Sequence, residues 1–213
     1  MPGKRFEREL IQGFLHEPAG QAVSTAGADA IAITHGAGGN CESPLLVALA
    51  DAFAASGWHV LRYDLPFRIQ RKSPSPAQAV RDREGIREAA AALREVSGAR
   101  RVSLSGSSYG GRQSTMLAAE DKSVADALLL LSYPLHPPGK PQTLRTEHFP
   151  ALQVPALFAH GTRDAFGSIE ELRAALALIP VRTGLIEVAG APHGLPAKIA
   201  PQIANQFIEF VAR

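Results

Sequence analysis

The pentapeptide Gly-Ser-Ser-Tyr-Gly at residues 106–110 places Ser108 at the centre of a G-x-S-x-G pattern. A short apolar run typical of a buried strand precedes it, and an alanine-rich helical pattern follows it. A strand, a sharp glycine turn and a helix form the setting in which this pattern presents a serine hydroxyl as a nucleophile. The flanking glycines suit such a turn because they have no Cβ atoms to clash with the strand or the helix. Ser108 is therefore the candidate nucleophile.

A serine hydroxyl needs a base to take its proton, and the base needs an acid to orient it. Asp164 and His193 each follow an apolar run further along the chain, in the order Ser, Asp, His found in hydrolases with this turn. We predict that Ser108, Asp164 and His193 form a catalytic triad. Two alternatives remain at this point: Asp164 could cap the helix that begins near Ser168, and His193 could be an ordinary loop histidine.

The glycine-rich stretch His-Gly-Ala-Gly-Gly at residues 35–39 follows another predicted strand. Backbone N–H groups in such a turn can stabilise the oxyanion that forms when a carbonyl carbon is attacked. We assign this role to the N–H groups of Tyr109 and Ala37, with Gly38 as a substitute for Ala37. The stretch lacks the lysine and Ser/Thr of a phosphate-binding P-loop, although a purely structural glycine turn is an alternative.

Four further residues are candidates for the substrate pocket because they lie in or just after predicted strands: His136, Tyr133, Phe67 and Arg62. Basic residues at 62, 68, 71 and 72 could pair with a substrate carboxylate or form a solvated surface. Arg112 follows the glycines of the 106–110 turn, and we expect it to brace that turn.

The elements that must position these residues alternate along the chain. Continuous apolar runs are predicted as strands at 30–34, 58–63, 102–105, 126–131, 155–159 and 183–188, with one or two edge strands in the first thirty residues. Helical patterns are predicted from Ser43-Pro44 to Gly57 and over 78–96, 168–178 and 197–211. This alternation predicts an α/β fold with a mostly parallel, doubly wound sheet of six to eight strands flanked by helices.

Bulk properties narrow the class of protein. A chain of 213 residues suits a single domain over residues 1–213, and the proline-rich segment 134–155 is expected to be a long loop rather than a large cap domain. A net charge of +2 with scattered basic residues does not predict nucleic-acid binding. No apolar run approaches the length of a membrane span, so we expect a cytoplasmic protein without membrane association. The single cysteine, Cys41, is expected to be inert and excludes a cysteine metal cluster.

The chain resembles the α/β-hydrolase superfamily, and within it a small branch of dienelactone-hydrolase-like and testis-expressed-protein-thirty-like proteins. The motifs that carry the likeness are residues 35–40, 106–112, 132–135, 160–164 with 166–167, and 192–193. The resemblance implies the hydrolase fold and the triad Ser108, Asp164 and His193. True dienelactone hydrolases have cysteine at the elbow, whereas this chain has Ser108 there.

These observations together predict a serine hydrolase that cleaves a carboxylic ester or thioester through an acyl-enzyme intermediate. The expected partner is a small-molecule ester or thioester, with no cofactor and no metal, and we make no prediction of oligomeric state. The alternative is a catalytically silent hydrolase-like scaffold for protein interaction, because a fold alone does not determine a function.

Overall fold

The computed structural model describes residues 3–19 and 28–213 and contains a twisted sheet of eight strands. In chain order the strands are β1 (Lys4–Glu7), β2 (Gln12–His16), β3 (Asp29–Thr34), β4 (His59–Asp64), β5 (Arg101–Ser107), β6 (Leu128–Leu131), β7 (Ala156–Gly161) and β8 (Thr183–Val188). Their order across the sheet is β1-β2-β4-β3-β5-β6-β7-β8. Strands β3 to β8 run parallel, while β1 and β2 form an antiparallel edge.

Six α-helices within the described ranges cover the two faces of this sheet. They are α1 (Pro44–Ala55), α2 (Pro66–Ile69), α3 (Pro76–Ser97), α4 (Tyr109–Glu120), α5 (Ile169–Leu176) and α6 (Ala200–Ala212). Helices α3, α4 and α5 contribute to one hydrophobic core, and α1 and α6 contribute to the other. The predicted doubly wound, mostly parallel α/β fold is therefore confirmed.

The apolar runs in the sequence become the central strands because both of their faces are covered. All four leucines of β6 are fully buried, and they divide between the two cores, Leu128 and Leu130 on one face and Leu129 and Leu131 on the other. One or two edge strands were expected in the first thirty residues, and the structure shows two there, β1 and β2. Residues 20–27 lie outside the described part of the chain.

The side chains at the N-terminal ends of the helices explain where α3 and α5 begin. Helix α3 begins two residues earlier than expected, because the Ser75 side chain accepts a hydrogen bond from the Gln78 N–H (3.2 Å) and Pro76 is preorganised for the first turn. Helix α5 begins after Ser168, which forms a capping box with Glu171. Ser43 precedes α1 as predicted, but its hydroxyl donates to the Asn40 carbonyl oxygen (2.7 Å) instead of capping the helix.

The segment between β6 and β7 contains one short 3₁₀ turn, Phe149–Ala151, within the chain that the structure describes, and no helical cap. The Tyr133 hydroxyl donates to the Arg145 carbonyl oxygen (2.7 Å), and the Tyr133 and Phe149 rings lie 5.3 Å apart. The segment is thus a long loop fastened to the core through aromatic side chains. None of the helices in the described ranges is long and apolar enough to cross a membrane.

Gly106 and Gly110 allow α4 to approach β5 and the end of β3 at an unusually short distance. A Cβ on Gly106 would lie 2.4 Å from both the Gly110 carbonyl carbon and the Gly111 nitrogen. A Cβ on Gly110 would lie 2.5 Å from the His35 carbonyl oxygen. Since real Cβ atoms do not approach backbone this closely, any side chain here would push α4 away from the sheet.

His148 is packed under the β6–β7 loop against α4. Its Nε2–H donates to the Thr115 hydroxyl (2.8 Å), which in turn donates to the Arg112 carbonyl oxygen (2.8 Å). Burial, with a smaller contribution from the Arg112 charge, lowers the pKa of His148 to about 4. The imidazole is therefore neutral in the folded protein at neutral pH.

Gly106→Ala should destabilise the fold by about 3 kcal/mol or more, because the new methyl group meets backbone atoms that cannot rotate away. Urea unfolding followed by circular dichroism would measure the loss. The matched control is Gly194→Ala, since a Cβ there meets nothing within 4 Å. Equal stability of the two variants would contradict the close packing described above.

His148 should make stability fall as the pH drops. In the unfolded chain the imidazole binds a proton below pH 6.5, whereas in the folded protein it does so only near pH 4. The contribution of His148 to the free energy of unfolding is complete above pH 6.5 and is lost as the pH falls from there towards 4. Between pH 7 and pH 5, the free energy of unfolding should therefore fall by about 1 to 2 kcal/mol less in His148→Gln than in the wild type, with partial solvent exposure of His148 taken into account.

Urea unfolding of both proteins at the two pH values provides the measurement. Gln is the matched replacement because its amide nitrogen can donate to Thr115 as Nε2 does. The acidic groups of the two proteins are the same, so their effects cancel in the comparison. The same pH dependence in the two proteins would show that His148 is not held neutral by the fold.

Candidate active site

Three strand ends bring the predicted catalytic side chains into contact. Ser108 follows β5, Asp164 follows β7 and His193 follows β8, all at the carboxyl edge of the parallel sheet. His193 Nε2 lies 2.8 Å from Ser108 Oγ, and His193 Nδ1 lies 3.0 Å and 2.8 Å from the two carboxylate oxygens of Asp164. The contacts form an unbroken chain from carboxylate to imidazole to hydroxyl, which is the geometry of proton removal from a serine.

Ser108 has strained backbone angles, φ 48° and ψ −112°, in a region that residues with a side chain rarely adopt. Two backbone hydrogen bonds hold it there. The Ser108 N–H donates to the Leu131 carbonyl oxygen (2.8 Å), and the Ser108 carbonyl oxygen accepts from the Arg112 N–H (3.0 Å). The sharp turn directs the hydroxyl away from β5 and towards His193.

Asp164 is oriented by the loop that contains it. Its side chain is fully buried, and its Oδ1 accepts a hydrogen bond from the Phe166 N–H (2.8 Å). The Asp164 loop is tied to the His193 loop, since the Arg163 N–H donates to the Ala191 carbonyl oxygen (3.0 Å). Asp164 does not cap α5, because Ser168 occupies that position.

His193 is partly open to solvent, with 27% of its side chain exposed. The Phe166 ring stacks on the imidazole with centroids 4.1 Å apart and planes 28° apart. Phe166 therefore holds the ring in the plane that joins Asp164 to Ser108. Phe166 was not among the predicted pocket residues, although residues 166–167 belong to the motifs that carry the family resemblance.

The glycine turn at 36–39 packs directly against Ser108. A Cβ on Gly36 would lie 3.3 Å from both the Ser107 carbonyl oxygen and the Ser108 Cβ. Ala37 and Gly38 both line a cavity that also includes Ser108. In the described ranges, no protein acceptor receives a hydrogen bond from the backbone N–H of Ala37 or of Tyr109. The backbone N–H groups of Ala37 and Tyr109 are thus near Ser108 and free to donate to a substrate oxygen.

Two side chains brace this region. The His35 Nε2 accepts from the Leu65 N–H (3.2 Å), and burial lowers the pKa of His35, which keeps the ring neutral and able to accept. The Arg68 guanidinium donates to the Ala37 carbonyl oxygen (2.9 Å). His35 thus braces the turn. Arg68 fastens the glycine turn from its outer side.

Tyr109 anchors the start of α4 through its side chain. Its hydroxyl donates to the buried Asp82 carboxylate on α3 (2.7 Å), and the other oxygen of Asp82 accepts from the Phe67 N–H (3.0 Å). Burial, and then the bond to Asp82, raise the pKa of Tyr109. Burial also raises the pKa of Asp82. This pair was not predicted from the sequence, because 27 residues separate its members and no local pattern links them.

Two cavities meet at Ser108, and Ala37 and Phe166 also border both. The first, which we call the arginine cavity, has a volume of about 690 Å³ and includes Arg83, Arg112 and Arg145 in its walls. The second, which we call the histidine cavity, has a volume of about 480 Å³ and includes His193. Arg112 braces the turn through its backbone N–H, as expected, and it also lines the arginine cavity.

The structure does not place Tyr133 or Phe67 in either cavity wall. Both aromatic rings are core residues, because Tyr133 packs against Phe149 and Phe158 and Phe67 packs against Tyr109. Large apolar rings at strand ends gain more by packing beneath the loops than by facing an open site. Their prediction as pocket walls is corrected accordingly.

His136 and Arg62 are also outside both cavity walls. His136 Nδ1 lies 2.8 Å from the Pro137 carbonyl oxygen. Arg62 is buried and donates to the Cys41 carbonyl oxygen (2.8 Å) and to His16 Nε2 (2.9 Å). The predicted basic cluster does not exist as a unit, because Arg62 points into the protein while residues 71 and 72 are exposed.

Cys41 is buried, and its backbone N–H donates to Asp64 Oδ1 (2.6 Å). Burial, and then the neighbouring Asp64 charge, raise the pKa of the Cys41 thiol to about 12. A thiol with such a pKa forms almost no thiolate at neutral pH and is a poor nucleophile. Among the described side chains, no group of three or more His, Cys, Asp or Glu is arranged to hold a metal ion.

Comparisons with known proteins agree with this architecture. Est1E from Butyrivibrio proteoclasticus has a TM-score of 0.78 at 14% identity, with 100% of each chain covered. Dienelactone hydrolase from Anabaena variabilis has a TM-score of 0.75 at 18% identity, covering 99% of this chain and 97% of that one. XC6422 from Xanthomonas campestris, described as an α/β serine hydrolase without lid, has a TM-score of 0.71 at 16% identity, covering 100% and 96%.

A search of curated proteins finds no significant match to this sequence. At the identities above, the structural likeness shows a shared fold. The sequence itself provides the family, since residues 27–208 match the family described as "Alpha/beta hydrolase domain". That match spans most of the chain, and the chain therefore belongs to the alpha/beta hydrolase domain family.

Proposed function

We propose that the protein is a serine hydrolase that cleaves a carboxylic ester or thioester. The observation that carries the proposal is the chain of contacts through His193, whose Nε2 lies 2.8 Å from Ser108 Oγ and whose Nδ1 lies 2.8 Å from Asp164 Oδ2. Structures that resemble this one include proteins described as an α/β serine hydrolase homologue and as an esterase, which supports the same chemistry here.

The first half of the reaction transfers the acyl group to the protein. Ser108 Oγ attacks the carbonyl carbon while its proton moves to His193 Nε2. The N–H groups of Tyr109 and Ala37, with Gly38 as the substitute, stabilise the negative charge on the carbonyl oxygen. The bond to the leaving alcohol or thiol then breaks, and His193 returns the proton to it.

The second half restores the protein. A water molecule attacks the acyl-Ser108 carbonyl carbon as His193 takes a proton from it, and the Ser108 ester bond breaks. Ser108 regains its proton from His193, and the carboxylic acid leaves. Asp164 keeps the imidazole oriented and stabilises its protonated form in both halves, which its buried position and its contact with Nδ1 support.

Ser108→Ala should lower the turnover of a short p-nitrophenyl ester by a factor on the order of 10⁴ or more, because no other hydroxyl is in contact with His193 Nε2 among the described residues. Initial rates and covalent labelling by a fluorophosphonate probe provide two independent measurements. The wild type should be labelled and the variant should not. A folded wild type that neither reacts with the probe nor cleaves esters would instead support a non-catalytic scaffold.

Asp164→Asn should lower kcat by roughly 10³ to 10⁴ while KM changes little, because an amide at this position favours the wrong imidazole tautomer. The matched control is Glu171→Gln, which changes an acid of the nearby α5 capping box without touching Ser108 or His193. Steady-state kinetics of both variants give the comparison. A small loss with Asp164→Asn would remove Asp164 from the proposed triad.

A further inference from the structure

Two guanidinium groups in the wall of the arginine cavity have no carboxylate partner. Within the described ranges, no Asp or Glu oxygen forms a salt bridge with Arg112 or Arg145. Arg112 Nε is buried without a hydrogen-bond partner, and Arg145 donates one long bond to the Pro134 carbonyl oxygen (3.3 Å). Burying an unsatisfied cationic donor is costly, so this arrangement is suited to an incoming anion.

The surroundings of Arg112 add positive charge. Burial, and then the Arg112 charge, lower the pKa of Arg145, while the weaker effect of the Glu147 charge raises it. Arg112 also helps to keep the nearby His148 neutral. Arg83, in the same cavity, differs because it already contacts Gln113 (3.1 Å) and Glu120 (3.5 Å). The unsatisfied positive charge is therefore concentrated at Arg112 and Arg145.

The rest of the arginine cavity is suited to a hydrocarbon chain. Its wall also includes the apolar residues Pro74, Pro76, Ala79 and Met116. Apolar walls of this kind stabilise methylene groups by removing them from water. A volume of about 690 Å³ accommodates a small acyl chain with a charged end.

The position of His193 decides which part of the substrate enters each cavity. His193 must deliver its proton to the leaving group, so the alcohol or thiol has to lie beside the imidazole. His193 borders the histidine cavity and is absent from the wall of the arginine cavity. The leaving group therefore lies in the histidine cavity, and the acyl chain extends into the arginine cavity.

We propose that the acyl group carries a terminal carboxylate, which Arg112 and Arg145 bind, so that the substrates are monoesters or monothioesters of dicarboxylic acids. This proposal rests on the proposed function for the cleavage step and adds the substrate class. Paired guanidinium groups match a carboxylate well because their planar donors reach both of its oxygens. Hydrolysis then gives the free dicarboxylate and the alcohol or thiol.

The test compares two esters that differ only in the charge at the far end of the acyl chain. Monomethyl adipate is the anionic ester and methyl hexanoate is its neutral counterpart of equal acyl length. Product formation is followed by chromatography at pH 8, with the rate without protein subtracted. The wild type should favour the anionic ester by about tenfold or more in kcat/KM, mainly through a lower KM.

Arg112→Gln and Arg145→Gln should each lower this anionic-to-neutral ratio by about tenfold. The matched control is Arg81→Gln, because Arg81 is exposed on α3 and outside the cavity wall. Its ratio should equal that of the wild type. Since the ratio is measured on one sample, a partly folded variant does not distort it, and either arginine can be tested if the other variant fails to fold.

A ratio near one in the wild type, with methyl hexanoate cleaved, would overturn the substrate class and leave the proposed function intact. A ratio lowered equally by Arg81→Gln would also overturn it, because the effect would then be that of overall charge. Calorimetry with free adipate and with the neutral alcohol hexan-1-ol tests the site without catalysis. Adipate binding that Arg112→Gln abolishes would support the carboxylate site even if neither ester is cleaved, whereas equal binding of adipate and hexan-1-ol would contradict it.

Discussion

The contact between Gly106 of β5 and the first turn of α4 is the constraint on which the site depends. Because a Cβ on Gly106 would lie 2.4 Å from the backbone of residues 110 and 111, the helix can begin only where the strand leaves room for it. This contact compresses the turn between them, and Ser108 takes a φ of 48°. The strain is offset by hydrogen bonds from both sides of the turn and by burial of α4 against the sheet.

The same contact organises the surroundings of Ser108. Gly110 lies against the His35 carbonyl oxygen, and Gly36 lies against Ser107 and Ser108, so the glycine turn and the elbow can only move together. Tyr109 is fixed at the start of α4 through the buried Asp82. The N–H groups of Tyr109 and Ala37 are thereby held by rigid elements, which is what stabilisation of a developing charge requires.

Burial divides the charged groups of the site into two kinds. The Asp164 carboxylate is fully buried but satisfied, since it contacts His193 and accepts a hydrogen bond from the Phe166 N–H. Arg112 and Arg145 are partly buried, and neither has a carboxylate partner in the described part of the chain. A satisfied buried charge is typical of a positioning role, whereas an unsatisfied one at a cavity wall is typical of a binding role.

Ser108, Asp164 and His193 could be selected from the sequence because each directly follows an apolar run. Parallel strands end at one edge of a sheet, so residues after β5, β7 and β8 had to come near one another. The pocket could not be predicted in the same way. His136, Tyr133, Phe67 and Arg62 also lie in or after strands, yet side-chain packing turns them into the interior.

The sequence by itself determined the doubly wound fold, the glycine turn and the order of the candidate catalytic residues, because these follow from local patterns of apolar residues and glycines. Only the tertiary structure decided what surrounds Ser108. The Asp82–Tyr109 bond, the stacking of Phe166 on His193 and the meeting of Arg112 and Arg145 in one cavity wall bring together separate strand ends and helices. Such contacts depend on the packing of whole elements, and no local pattern in the chain encodes them.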